Sequence, residues 1–318
     1  MSLMALDVHQ ASVVQQLIVD TPDLSRLDVV RSQLGAGPHC CQAVGEAGAT
    51  WLRSILAQEP LDAIASFATS PYKALLLRGI GLCTDVATPR NGFLPDAQCV
   101  LDFDLLHFGM LRLLGVRSHA VEYENLGKLV RNVVPVPEAA GTTSSWGADV
   151  EFSWHTDNPN WPFDDQAEDV TRSVPNYLAF TAVRNHEQAS TDIVCVDHVL
   201  SLLSDWAIAQ LLRPAYAFGA PASNEGFDGE QRVMPIVERT RHGQRLRFDD
   251  GIVTAQDADA ERALALLRQA LRSVAGIELV LRPGDFFIFK NARVLHRRKA
   301  FQPRPEGSAR WLRRVYGS

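Results

Sequence analysis

The chain has 318 residues, 46% of them hydrophobic and 21% charged, the balance of an ordinary water-facing globular protein. Its net charge is −6, and the one locally basic stretch, Arg293 to Arg314, is no footprint for nucleic acid, so that partner is excluded. The five cysteines are odd in number and lack C-x-x-C spacing, and no apolar run approaches bilayer length, which excludes a disulfide scaffold, a cysteine zinc site and a membrane span.

Residues 1–12 carry no basic segment leading into an apolar core, so no leader is expected and the protein reads as cytoplasmic. Residues 10–70 read as helical, because Val13, Val14, Leu17 and Ile18 fall at helical spacing, as do Trp51, Leu52, Ile55 and Leu56. Leu34-Gly35-Ala36-Gly37-Pro38 is a turn between helices; it has neither the preceding strand nor the full G-x-G-x-x-G of a nucleotide loop. Residues 74–79 form a short apolar run ending in glycine, expected to be a buried strand, and a helix is expected over about 102–114. From Glu122 the texture changes to strands and turns. The 150–154 strand leads into His155 and Asp157, and residues 158–175, with three prolines and the aromatics Trp161 and Phe163, read as a lid or as a tolerated surface insertion.

Residues 177–183 and 191–196 are expected to pair as strands, and so are 232–237 and 245–248, around a turn at His242-Gly243. Ser204 and Asp257 are expected helix caps, the second ahead of Ala260, Leu264, Leu267 and Leu271 on one face. Strands at 277–281 and 286–289, split by Pro283-Gly284, precede His296. Many short strands with helices inserted predict an antiparallel double sheet and not a dinucleotide-binding fold.

The chemistry centres on His155-Thr156-Asp157. Side chains two apart on a strand share a face, so an imidazole and a carboxylate make adjacent metal ligands there. His296 is placed to add a third. Two histidines and a carboxylate on one face of an octahedron leave the opposite positions open, as in non-haem Fe(II) oxygenases. H-x-D alone is common by chance, and the weight comes from the segment around His296.

Pro283-Gly284-Asp285-Phe286 through Val294-Leu295-His296, followed by Arg310-Trp311-Leu312-Arg313-Arg314, resembles the Fe(II)/2-oxoglutarate oxygenases of the clavaminate synthase-like group, which includes free amino acid hydroxylases. Leu75-Leu76-Leu77-Arg78-Gly79, Asn132-Val133-Val134-Pro135, Ser145-Trp146-Gly147 and Pro175-Asn176-Tyr177 are similar in order and spacing, so the resemblance runs from about residue 72 to the end.

The resemblance implies a mainly β fold with flanking helices around a double-stranded β-helix, a jelly-roll or cupin-like core. Residues 1–318 would form one domain, with a helical part over 1–70 and a core over about 72–318. It implies that His155, Asp157 and His296 bind Fe(II), and that Arg310, with Thr191, holds the distal carboxylate of 2-oxoglutarate. A guanidinium suits that task because its planar fork meets a carboxylate bidentately. Arg314 would hold a substrate α-carboxylate, and Asp249 and Asp250 a basic side chain, although Asp-Asp-Gly is also plain turn chemistry. These relatives more often carry H-x-E than H-x-D, and either carboxylate binds iron.

The function expected is O2-dependent oxidation, most simply hydroxylation, of an unactivated C–H bond in an amino acid or amino-acid-derived small molecule of natural-product biosynthesis. The same chemistry on a small peptide or cyclic dipeptide, or desaturation or cyclisation, remains open. A non-catalytic barrel would be expected to lack a ligand or Arg310, and all are present. A zinc hydrolase would need a general base that the sequence does not place, and it leaves Arg310 unexplained. Oligomeric state is not set by the sequence.

Overall fold

The computed structural model describes residues 12–318 except 21, 36, 38, 228 and 306. The stretch 1–11 and residues Ala36 and Pro38 of the glycine turn therefore lie outside the described residues. Two sheets dominate. The larger has β1 (Val14–Ile18), β2 (Ala74–Arg78), β3 (Ser118–His119), β4 (Arg131–Val133), β6 (Tyr177–Arg184), β14 (Phe286–Lys290) and β16 (Trp311–Gly317). Their order is β1-β2-β14-β6-β16-β3, with β4 also pairing with β16. The smaller sheet runs β13-β7-β15-β5, from β5 (Phe152–His155), β7 (Thr191–Cys195), β13 (Ile277–Leu279) and β15 (Val294–Arg298). Beside it lie a three-stranded sheet of β8 (Tyr216–Gly219), β9 (Gln231–Met234) and β12 (Val253–Ala255), and a hairpin of β10 (Val237–Thr240) and β11 (Gly243–Leu246).

Alternation along the strands sorts the core into layers. In β14, Phe287 and Phe289 point between the two main sheets and meet Ile193 and Val294 of the smaller one. Phe286 and Ile288 point outward, against a helical layer that includes Trp51, Leu52, Phe103 and Leu106. On the far side, Val194 and Leu295 pack under Leu264, Leu267 and Leu271 of the Ala258–Ser273 helix. Each such side chain, fully buried, contributes roughly 1.5–3 kcal/mol. The result is a mixed sheet-and-helix fold in which the main sheets face each other; among the described residues they do not close into a barrel.

The outer helices Cys41–Ile55 and Leu101–Leu114 cross at two glycines. A Cβ on Gly48 would lie 2.0 Å from the Leu105 carbonyl oxygen, so only glycine permits this approach. The expected caps are present: Ser204 accepts from the Ala207 N–H and Asp257 from the Ala260 N–H.

Three expectations fail. Residues 14–18 form a strand, not part of a helix, and pair in parallel with β2. Residues 177–183 and 191–196 do not pair: β6 lies between β14 and β16, whereas β7 lies between β13 and β15 in the opposite sheet. Asn185 closes the crossing between them, accepting from Ala189 N–H and donating to the Ala189 and Leu281 carbonyls. The run 232–237 is broken at Pro235, which cannot donate to a ladder, so β9 joins β8 and the hairpin is β10–β11.

Candidate active site

His155 ends β5, and His296 sits opposite it on β15, as a paired position rather than after a strand. Their ring centroids are 4.0 Å apart. Asp157, two residues beyond His155, brings Oδ1 to 3.4 Å from His155 Nε2 and 3.3 Å from His296 Nε2. All three residues are buried, and one ligand atom from each lies within 4.8 Å of the others. The His155 Nδ1 faces the Ser153 carbonyl at 2.7 Å, which assigns the ring proton there and leaves Nε2, without a hydrogen-bond partner, to bind a metal. Two imidazoles and one carboxylate fit a divalent iron.

Neighbours hold the ligands in place. Phe152 stacks on His155 with centroids 3.8 Å apart, and Phe289 lies 5.0 Å from His296. Asn291 accepts from the Asp157 N–H and donates to the Asp157 and Pro175 carbonyls, pinning the loop that carries the carboxylate. Burial pushes His296 down to about 4, helped by His155. Burial alone would raise the Asp157 carboxyl, but Arg314 and the two histidines outweigh it and hold it well below the usual range.

Arg310 and Thr191 lie in a small pocket of about 50 Å³ that the three ligands also line. Arg310 Nη2 donates to Thr191 Oγ1 at 3.1 Å, and its Nε is buried with no partner. Burial pushes this guanidinium down to about 9; Arg298, on the same pocket, pushes the same way and Glu187 opposes. Such a site favours an anion. A wider cavity of about 440 Å³ shares His155, Asp157 and Arg314 with this pocket.

Asp249, Asp250 and Arg314 all line that cavity, but their partners differ. Asp250 bonds to Arg268 Nε at 2.5 Å. Asp249 bridges to the His155 backbone and accepts the Gly251 N–H, and among the described residues no ion pair is found for it. Arg314 donates to Asp157 Oδ2 at 2.9 Å and to Glu124 Oε1 at 2.6 Å.

Residues 229–316 match the family described as taurine catabolism dioxygenase TauD, TfdA family. The L-asparagine oxygenase of Streptomyces coelicolor is 29% identical over 197 residues, covering 61% of this chain and 55% of that protein. Clavaminate synthase 2 of Streptomyces clavuligerus is 30% identical over 211 residues, covering 64% and 61%. Over residues 229–316 the chain is similar to the TauD/TfdA-type oxygenases. It spans little more than half the length of the asparagine oxygenase. The crystal structure of the non-haem iron oxygenase OrfP with Fe and α-ketoglutaric acid has a TM-score of 0.76 at 23% identity, covering 95% of this chain and 93% of that one. Asparagine oxygenase with Fe(II), 3-hydroxyasparagine and succinate gives 0.76 at 24% identity, covering 95% and 92%. Both share the fold.

Residues 158–175 touch the large cavity through Asn158 and Pro159. Trp161 and Phe163 are buried, Trp161 against Tyr123 and Phe227 and under Arg232, Phe163 under Arg245 and Arg247. Sequence reasoning missed Glu124, Arg131, Tyr316 and Asn291. The alternation of Arg314 and Tyr316 on one strand was the available signal for Tyr316. Nothing local marked Glu124, which stands in an irregular segment followed by Asn125 and Leu126 at positive φ.

Proposed function

We propose that the chain is an Fe(II)- and 2-oxoglutarate-dependent oxygenase that hydroxylates an unactivated C–H bond of a free amino acid or amino-acid-derived metabolite in specialised metabolism. The observation that carries this reading is the convergence of three metal-type ligands with a buried, anion-seeking arginine in one pocket. On this reading the two facing sheets are the walls of a double-stranded β-helix, and the whole chain is one domain.

His155, Asp157 and His296 would hold Fe(II), and Arg310 with Thr191 the distal carboxylate of 2-oxoglutarate. Together with O2, iron and 2-oxoglutarate supply a two-electron oxidation in which the keto acid leaves as succinate and CO2. The chain's own residues orient and exclude. Val133, Phe180 and Leu312 give the cosubstrate pocket an apolar wall, and the rings of Phe152 and Phe289 keep water off the histidines. The 440 Å³ cavity suits a substrate of amino acid size. Asp249 would attract a substrate amino or guanidinium group.

The test is to add Fe(II) and 2-oxoglutarate anaerobically to metal-free protein and read the weak visible charge-transfer band of the chelate. A band in wild type, lost in His155→Ala and weakened in Arg310→Ala, is expected. O2-dependent succinate formation across free and blocked amino acids then finds the substrate. No band at any cosubstrate concentration sinks the proposal.

A further inference from the structure

Arg314 and Tyr316 stand two apart on β16, on the face that looks between the sheets, and both reach one atom of Asp157. Arg314 Nη1 lies 2.9 Å from Oδ2, and the Tyr316 hydroxyl is 3.2 Å from the same oxygen. The other oxygen, Oδ1, is the one turned toward both histidine Nε2 atoms. Behind this contact stands Glu124, buried, which accepts from Arg314 at 2.6 Å and from Tyr316 at 2.7 Å and forms an ion pair with Arg131 at 3.1 Å. Arg131 is itself fixed by Ser145 at 2.8 Å and by the face of Trp146.

An aspartate without such partners turns freely about its last bond and can offer a metal one oxygen or two. Two would close a position that the open face of the site must keep. With Oδ2 committed to a cation and a hydroxyl, only Oδ1 is left to the metal. Outer partners of this kind usually set ligand orientation and metal affinity. Each terminal nitrogen of Arg314 is drawn to a buried carboxylate in this arrangement, Nη1 to Asp157 and Nη2 to Glu124.

Resting on the metal reading above, we infer that Arg314 and Tyr316, braced by Glu124 and Arg131, are positioning residues that hold Asp157 to one-oxygen ligation. Arg314 thus serves the metal centre in place of a substrate carboxylate. The strand that carries them belongs to the larger sheet, whereas Asp157 follows a strand of the smaller one, so the brace crosses the space between the sheets.

The test is an anaerobic Co(II) titration of the full chain, read by visible absorption, whose intensity and position report coordination number. Tyr316→Phe keeps the ring and is expected to weaken Co(II) binding about tenfold; Glu124→Gln and Arg314→Gln are expected to approach 100-fold, with an altered spectrum. Melting of the metal-free variants checks that each is folded, and Tyr316→Phe keeps the test decisive if the charge variants are not. Variants that bind Co(II) within twofold of wild type with an unchanged spectrum overturn the inference. They would make Arg314 a substrate anchor if substrate affinity alone fell. Wild type that binds no Co(II) removes the metal reading, and this one with it.

Discussion

Arg310→Met separates what the buried guanidinium costs from what it does. Arg310 is 3% exposed, its Nε has no partner, and Arg298 lines the same pocket. The fall from the ordinary 12.5 to about 9 corresponds to roughly 5 kcal/mol against the charged form. A base whose folded value is lowered carries that burden in full at neutral pH, below both values, and sheds it only in strong alkali. Losing the Thr191 hydrogen bond offsets about 1 kcal/mol of any gain. The cosubstrate-free variant is therefore expected to resist denaturant better than wild type. Its 2-oxoglutarate affinity should fall, because removing one partner of a desolvated charge pair costs about 2–5 kcal/mol, roughly 30-fold to a few thousand-fold in Kd. Urea unfolding of the metal-free protein and anaerobic titration of the charge-transfer band measure the two halves. A Kd within threefold of wild type would refute the reasoning, and so would a variant clearly less stable than wild type.

Further consequences can be checked separately. His296→Ala should abolish stoichiometric Co(II) binding, read by equilibrium dialysis, while His242→Ala, at an exposed turn, should leave it intact. Asp249→Asn should weaken binding of substrates with a cationic side chain by about tenfold or more and spare neutral ones, seen by comparing KM across matched pairs. Gly48→Ala drives a methyl into the Leu105 carbonyl and should destabilise by about 1–3 kcal/mol or more, measured by urea unfolding. His107 is buried on Thr181 and pushed by burial, with Arg313 adding, down to about 3. Between pH 6.5 and 3 the unfolded chain binds a proton that the folded one refuses, so this residue makes stability fall as pH falls. His107→Gln should remove up to about 1.4 kcal/mol per pH unit from that slope.

The grouping of the candidate residues was more legible than the strand pairing: His155, Asp157 and His296 are brought together, through a two-residue spacing and a histidine on the neighbouring strand. Arg310 and Thr191, 119 positions apart, lie 3.1 Å from each other beside these three. The failures have local causes. Val14 to Ile18 is short enough to satisfy a helical or an extended period, and its partner lies on β2, beyond three helices. In β6 and β7 nearly every residue is buried on both faces, so no alternation tells which sheet each joins. Glu124 meets Arg314 and Tyr316, 190 and 192 positions later, and spacing along the chain cannot announce such contacts.

The adjacent arginines of β16 face opposite ways: Arg313 reaches Asp104 on the outer helical side, and Arg314 reaches Glu124 and Asp157 inside. A slip of this strand by one residue would turn both to the opposite faces, with Arg313 in the place of Arg314 and Arg314 in the apolar place of Val315. Size opposes that slip as well. The same slip would force Trp311 inward to where Leu312 now walls a 50 Å³ pocket, and would break its Nε1 bond to Asn132 Oδ1. An indole on the outer face thus acts as the ratchet tooth that indexes the arginines to their places, and Trp311→Leu would loosen that indexing without touching either ion pair.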